Sequence, residues 1–191
     1  MVTERASRVN FLVESRRAPG VGHGSSPMRP ALLLVPAMLL AACHGGFKDG
    51  VFVKDGVRYE VKPPPETWRQ VSLEGNDLAF VAPGSGHSIA VNSTCRDTGD
   101  PPLEVLVMHL LIGFTDRVRV SQEPGMLDGR ASLAARYTAK LDGVPVELFL
   151  VVTKKDGCVY DFSYVSPEGR FDEQRAAFDS LVAHFKTGGE R

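Results

Sequence analysis

The sequence predicts an α+β domain in which helices pack on the faces of an antiparallel sheet. Apolar and polar residues alternate through much of 51–165, which is typical of half-buried strands. Asp-Gly pairs stand between several alternating runs and favour tight hairpins. Two other segments, 101–116 and 171–186, have apolar residues at helical spacing. Strands joined by short turns, with two helices, indicate this class.

The first strands are expected in the N-terminal half of the domain. Asp55-Gly56 predicts a hairpin turn, and Pro63-Pro64-Pro65 interrupts the strand pattern that precedes it. Gly75-Asn76 predicts a second turn. The alternating runs place strands at 51–53, 57–61, 68–73, 78–81 and 87–93.

A helix is expected at 101–116, with Asp100 as its N-cap and Pro101 in its first position. It is apolar on nearly every side, which predicts that it is deeply covered. A stripe that binds a partner is the alternative.

The sequence of the second half of the domain predicts a meander of strands followed by a C-terminal helix. Strands are expected at 118–121, 144–152 and 158–165. The segment 132–141 is ambiguous between helix and strand, and the hairpin turn Asp142-Gly143 favours strand. The helix 171–186 has one face rich in phenylalanine.

The order of these elements resembles the PsbP-like α-β-α sandwich over about residues 51–186. This fold occurs in extrinsic photosystem II subunits, in a Ran-binding nuclear import factor and in exported bacterial proteins. The resemblance implies a binding or accessory protein and carries no functional residues with it. The matching features are Trp68-Arg69-Gln70-Val71, the helix after Asp100, the Asp128-Gly129 turn, the meander 132–165 and the helix 171–186.

The segment before residue 44 resembles a bacterial lipoprotein signal peptide. Arg29 precedes an apolar run from Ala31 to Leu40, and Leu40-Ala41-Ala42-Cys43 resembles a lipobox. The resemblance implies cleavage between Ala42 and Cys43, a diacylglycerol on the Cys43 thiol and a further acyl chain such as palmitate on the new N-terminus. A transmembrane helix is disfavoured, because spanning a bilayer takes roughly 20 apolar residues.

Four regions follow from this interpretation. Residues 1–27 are interpreted as a mis-called or disordered extension, with Met28 as the true start, and 28–42 as the signal peptide. Residues 43–50 are rich in glycine and predict a flexible tether. Residues 51–187 form the single α+β domain.

Charge restricts the partners of the mature chain. Residues 1–42 contain five arginines and two glutamates, so their removal changes the net charge from −1 to −4. An acidic domain disfavours nucleic acid as a partner. We found no basic cluster in the sequence after residue 42, so membrane attachment is expected through the lipid alone.

Cys95 and Cys158 form an even pair once Cys43 is acylated. Export to an oxidising compartment would permit a disulfide between them. Two buried free thiols are the alternative. A catalytic cysteine is the third, and Arg96 beside Cys95 is its only local indication.

The histidines His87, His109 and His184 show no metal-ligand spacing, and no cofactor is predicted. Ser85 and His87 are too close in sequence to suggest a catalytic pair, and Asp97 with Asp100 is only a weak metal motif.

The sequence therefore predicts a lipid-anchored envelope protein that is not an enzyme. It would face the periplasm, in the outer membrane because His44 rather than aspartate follows Cys43, and bind an envelope protein or a small ligand. The alternative is an envelope hydrolase that uses His87 or His109 with a nearby serine or aspartate.

Overall fold

The computed structural model describes residues 46–95 and 99–188. The predicted extension 1–27, the signal peptide 28–42, and Ala42 and Cys43 lie outside these residues. The described strands, in chain order, are β1 (Gly46–Lys48), β2 (Val51–Lys54), β3 (Val57–Glu60), β4 (Arg69–Val71), β5 (Leu78–Ala82), β6 (His87–Thr94), β7 (Phe114–Leu127), β8 (Arg130–Leu141), β9 (Val144–Lys155), β10 (Cys158–Pro167) and β11 (Lys186–Thr187). Helix α1 is Leu103–Leu110, α2 is Arg175–Ala183, and a 3-10 turn covers Phe171–Glu173.

The strands form two antiparallel sheets. The small sheet has the order β1-β2-β3-β11, and the large sheet has the order β4-β5-β6-β10-β9-β8-β7. Strand β11 comes from the end of the chain and pairs with β3, Lys186 opposite Glu60 and Thr187 opposite Tyr59. The small sheet therefore joins the two ends of the domain.

Asp-Gly turns connect the hairpins, as the sequence predicts. In the first such turn φ is 50° at Asp55 and 82° at Gly56, and in another it is 50° at Asp142 and 83° at Gly143. Positive φ at both central residues is the geometry of a type I′ turn, whose twist matches the flanking strands. The same Asp-Gly pattern with positive φ links β1 to β2, β7 to β8, and β9 to β10.

The first core lies between the small sheet, one face of the large sheet and α2. Tyr59 of β3 stacks on Phe52 of β2 with 4.9 Å between ring centroids. Phe185 follows α2 and lies 4.9 Å from the Tyr160 ring of β10. Phe178 of α2 is fully buried in the same core. Alternation along β10 directs Tyr160, Phe162 and Tyr164 to this face of the large sheet.

The second core lies on the other face of the large sheet, under α1. Leu106 and Val107 of α1 pack with Leu148 and Leu150 of β9, both fully buried. The opposite side of α1 exposes Val105 and Met108, and Ile112 is exposed just after the helix. Only part of this apolar helix is thus covered.

The predicted fold class is wrong. Among the described residues 55% are in strands and 14% in helices, so this is a β-rich fold of two antiparallel sheets. The two α-helices have eight and nine residues. They are too short to form helical layers, and part of the first core is closed by the small sheet instead.

Both predicted helices are shorter in the structure. The helix expected at 101–116 begins after Pro102 and stops at Leu110. Gly113, with a φ of 96°, turns the chain before β7 starts at Phe114. The segment 171–186 divides into the 3-10 turn, α2 and the first residue of β11. In the described part of the chain, no helix has both the length and the apolar character needed to cross a bilayer.

The tether predicted at 43–50 also differs from the structure. Gly46–Lys48 pair with Val51–Val53 as an edge strand. Phe47 packs against the first core, where its ring lies 6.1 Å from the Phe80 ring. Burial of this aromatic side chain explains why a glycine-rich segment forms a strand.

Candidate functional site

The end of the large sheet carries the disulfide between Cys95 and Cys158. Thr94 of β6 pairs with Val159 of β10 in antiparallel register. Cys95, which follows Thr94, therefore lies opposite Cys158, which precedes Val159, and their sulfurs meet. Cys95 is exposed and Cys158 is partly buried. The bridge therefore lies at the surface, where two hairpins end.

Three open cavities surround this disulfide. Their volumes are about 390, 370 and 440 Å³. We call the surface that contains them the disulfide rim, formed by residues 54–58, 93–95, 154–159 and 187–188. Its side chains carry both signs of charge, from Lys54 and Asp55 on one hairpin to Lys155 and Asp156 on another. Such a surface suits a polar or charged partner.

Asp77 forms the polar floor of the first cavity. Its carboxylate accepts hydrogen bonds from the Ser93 hydroxyl at 2.5 Å and from the Tyr59 hydroxyl at 3.4 Å. Burial raises the pKa of the Asp77 carboxyl, although these donors and Lys54 favour its charged form. Burial and the charge of Asp77 also raise the pKa of the Tyr59 hydroxyl, so tyrosine stays a donor.

Asp161 is the second carboxylate of this cluster. It lies on β10 directly opposite Asn92 of β6. The backbone N–H of Asp77 donates to the Asn92 side-chain oxygen at 3.2 Å, and the Asn92 amide bonds to the Asp161 carboxylate. Burial, together with the Asp77 charge, raises the pKa of Asp161 to about 7 despite that hydrogen bond. The Asp161 carboxyl can therefore gain or lose a proton near neutral pH.

Asp128 is the anion that joins the C-terminal strand to the large sheet. Lys155 Nζ donates to its carboxylate at 2.6 Å, and the backbone N–H of Thr187 donates at 2.9 Å. Burial opposes ionisation, but the Lys155 and Thr187 donors outweigh it and hold the pKa of Asp128 below its usual value. Asp128 therefore fixes β11 beside the rim.

Asp100 does not cap α1 as the sequence predicts. Its carboxylate forms an ion pair with Lys154, whose ammonium also donates to the Pro101 carbonyl at 2.9 Å. Asp97, its partner in the weak metal motif, lies outside the described residues. Within 46–95 and 99–188, no three His, Cys, Asp or Glu side chains are grouped to hold a metal ion.

Ser85 and His87 do meet in the structure. The Ser85 hydroxyl oxygen lies 3.0 Å from His87 Nδ1, and His87 Nε2 lies 3.0 Å from the Arg170 carbonyl oxygen. That hydroxyl also donates to the Ala82 carbonyl at 2.9 Å. The His87 ring is 1% exposed and stacks on Tyr164. These contacts stabilise the turn between β5 and β6 and hold the buried His87 ring in place.

The other two histidines do not join this pair. His109 is exposed on α1, which covers the opposite face of the large sheet from His87. His184 follows α2, and its Nδ1 lies 2.7 Å from the Ser180 carbonyl oxygen. Of the two histidines in the hydrolase alternative, His87 therefore lies beside a serine, Ser85, whereas His109 lies on the other face of the sheet.

Sequence reasoning missed the carboxylates Asp77 and Asp161. Asp161 occupies a polar position in an alternating strand, where a solvated side chain is expected. Its proximity to Asp77 depends on the pairing of β6 with β10 and β5, which the sequence does not specify. The one available signal was an acidic residue between two aromatic residues, Tyr160 and Phe162.

Comparison with known proteins supports the PsbP-like fold. No family model matches the sequence, and no curated protein matches it. The solution structure of CyanoP, the cyanobacterial PsbP of Synechocystis sp. PCC 6803, has a TM-score of 0.51 at 16% identity. That match covers 76% of this chain and 91% of CyanoP. LpqN, involved in cell envelope biogenesis of Mycobacterium tuberculosis, has a TM-score of 0.52 at 12% identity, covering 71% and 87%. These likenesses establish the fold alone.

Proposed function

We propose that this protein is a lipid-anchored accessory or binding module of the bacterial cell envelope. The observation that carries the proposal is the disulfide between Cys95 and Cys158. Structural disulfides persist in oxidising compartments and are rare in the cytosol. A bridged cysteine pair, in a chain that also carries a lipobox-like Cys43, supports export. LpqN, which shares the fold, is involved in envelope biogenesis.

In this proposal the signal peptide is cleaved between Ala42 and Cys43. The Cys43 thiol takes a diacylglycerol, and its amino group takes a further acyl chain. Two or more acyl chains anchor a protein stably, whereas one binds only marginally. His44 directs the protein to the outer membrane, where the domain faces the periplasm.

The disulfide rim is the proposed binding surface. Its cavities are open and bear charges of both signs, so an envelope protein with a polar contact region fits them. A small polar ligand is the other proposed occupant. Its hydrogen-bond donors would bind the Asp77 carboxylate, and its acceptors would bind Lys154 and Lys155 on the β9–β10 hairpin. The mildly acidic mature chain disfavours nucleic acid.

A binding role is proposed in preference to a catalytic one. The Ser85–His87 pair is the closest approach to a nucleophile and base, but the His87 ring is enclosed by Tyr164 and the Arg170 carbonyl. Ser85→Ala should therefore leave any hydrolytic activity of the purified protein toward ester substrates unchanged. Loss of such an activity in Ser85→Ala would favour the hydrolase alternative.

Site-specific crosslinking in intact cells tests the binding surface. A photoreactive residue replaces Thr94 on the rim, and a matched variant carries it at Val144, which is 61% exposed at the other end of β9. We expect a discrete adduct from position 94 and none from 144. Equal yields from both positions, or no adduct from 94, would contradict binding at the rim.

A further inference from the structure

The outer face of the small sheet is a second surface with a distinct composition. Phe47, Phe52 and Tyr59 point from β1, β2 and β3 into the first core. Alternate residues on each strand therefore point outward. The strand register arranges these outward residues in two rows, Lys48–Val51–Glu60–Lys186 and Gly46–Val53–Arg58.

This face is more basic than the rest of the mature chain. The two outward rows contain three cations, Lys48, Arg58 and Lys186, and one carboxylate, Glu60, whereas the chain from Cys43 onward has a net charge of −4. The cations come from distant parts of the sequence, because Lys186 reaches the small sheet only through β11. Arg58 lies 3.6 Å from Glu60, and Lys186 Nζ lies 3.9 Å from the Asp128 carboxylate, but the Arg58 and Lys186 side chains are at least half exposed, so these ion pairs hold the two cations weakly.

The face also begins close to the proposed anchor. Only His44 and Gly45 separate Cys43 from Gly46. Three residue steps of fully extended chain span at most about 11 Å. Gly46 is directly opposite Val53, a valine that is 45% exposed in the middle of the face. An acylated Cys43 would thus hold this sheet at the lipid headgroups.

We propose that the outer face of the small sheet lies on the anionic headgroups of the bilayer that holds the Cys43 lipid. This inference rests on the proposed lipid anchor. Lys48, Arg58 and Lys186 contact lipid phosphates, and Val53 contacts the interface. Each cation near an anionic leaflet strengthens association roughly fivefold. The lipid sets where the domain is attached, and the sheet sets its orientation.

Nuclear magnetic resonance of the full chain on nanodiscs tests this orientation. With Cys95 and Cys158 bridged, the Cys43 thiol can be coupled to a maleimide lipid, which makes the anchor independent of cellular acylation. The nanodiscs contain phosphatidylcholine and phosphatidylglycerol at three to one, with a trace of gadolinium-headgroup lipid. Broadening of the Val53 and Val144 methyl signals is compared.

We expect the Val53 methyl signals to be broadened at least fivefold more than those of Val144. Lys48→Glu with Lys186→Glu, or nanodiscs of phosphatidylcholine alone, should reduce the broadening at Val53. Equal broadening at both valines would overturn the proposed orientation, even where cells acylate Cys43. If cells do not acylate Cys43 but Val53 is still broadened on the nanodisc, the proposed anchor is contradicted, whereas the affinity of the small sheet's outer face for lipid headgroups is supported.

Discussion

Asp161→Asn should stabilise the protein at alkaline pH and have far less effect in acid. The carboxyl of Asp161 has a pKa of about 7 in the folded protein, against 3.8 ordinarily, because burial disfavours its charge. Well below pH 4 the carboxyl is protonated in both folded and unfolded chains, so it imposes no penalty. As pH rises from about 4 to 7, the unfolded chain releases the Asp161 proton while the folded protein keeps it, so the free energy of unfolding falls across this range and levels off above pH 7.

The size of this effect follows from the pKa difference. Each unit corresponds to 1.36 kcal/mol, so about three units set an upper limit of about 4 kcal/mol. Asp161 keeps some solvent exposure, and water screens part of the penalty. We expect Asp161→Asn to gain about 1–2 kcal/mol relative to the parent between pH 4 and pH 8.

Urea denaturation at pH 4, 6 and 8 measures the difference. Asp142→Asn removes a charge from the exposed β8–β9 turn and serves as the matched control. Its difference from the parent in free energy of unfolding should not grow between pH 4 and pH 8. If the difference between Asp161→Asn and the parent stays constant from pH 4 to pH 8, the reasoning about a buried carboxyl at this position is wrong.

Three further substitutions test the packing and the rim. Asp128→Asn should lower the free energy of unfolding by about 1.5–3 kcal/mol at pH 7, since it removes a charged acceptor. The depressed pKa of Asp128 makes its stabilisation present above about pH 4 and lost in stronger acid, so the variant and parent should converge there in urea denaturation. Replacing Cys95 and Cys158 together with serine should cost about 2–4 kcal/mol, and a cost that persists when the parent is also reduced would contradict a disulfide origin. Leu148→Ala, under α1, should cost about 2–5 kcal/mol in the same assay, while Val144→Ala should change stability by less than about 0.5; equal effects would refute the assignment of the second core.

The hairpins could be predicted from sequence because their signals are local. Asp-Gly turns at 55–56, 142–143 and 156–157 adopt positive φ at both residues, and alternation identifies the strands on either side. The ambiguous segment 132–141 is a strand, as the flanking turn indicates.

The fold class could not be predicted because it depends on where helices stop and on long-range pairing. The apolar pattern continues past Leu110, but Gly113 ends the helical path and the following residues pair with β8. Lys186 continues the pattern of α2, yet it pairs with β3, more than a hundred residues earlier in the chain. Local periodicity does not report such pairing.

The same limit applies to the candidate site. The sequence offers a disulfide between Cys95 and Cys158 as one of three alternatives, because export implies oxidation but only the pairing of β6 with β10 brings the two sulfurs together. Asp77 and Asp161 could not be predicted, since an acidic residue in a turn or an alternating strand is ordinarily solvated. Their raised pKa values come from burial between strands that only the folded register brings together.

The intact mass of the protein extracted from membranes, before and after reduction, tests the central claim most directly. We expect a chain that begins at Cys43 and carries added acyl mass, which Cys43→Ala loses. Reduction should add two hydrogens, one for each sulfur of the bridge between Cys95 and Cys158. An unmodified chain that retains residues 1–42 would contradict the anchor and the envelope location that follows from it.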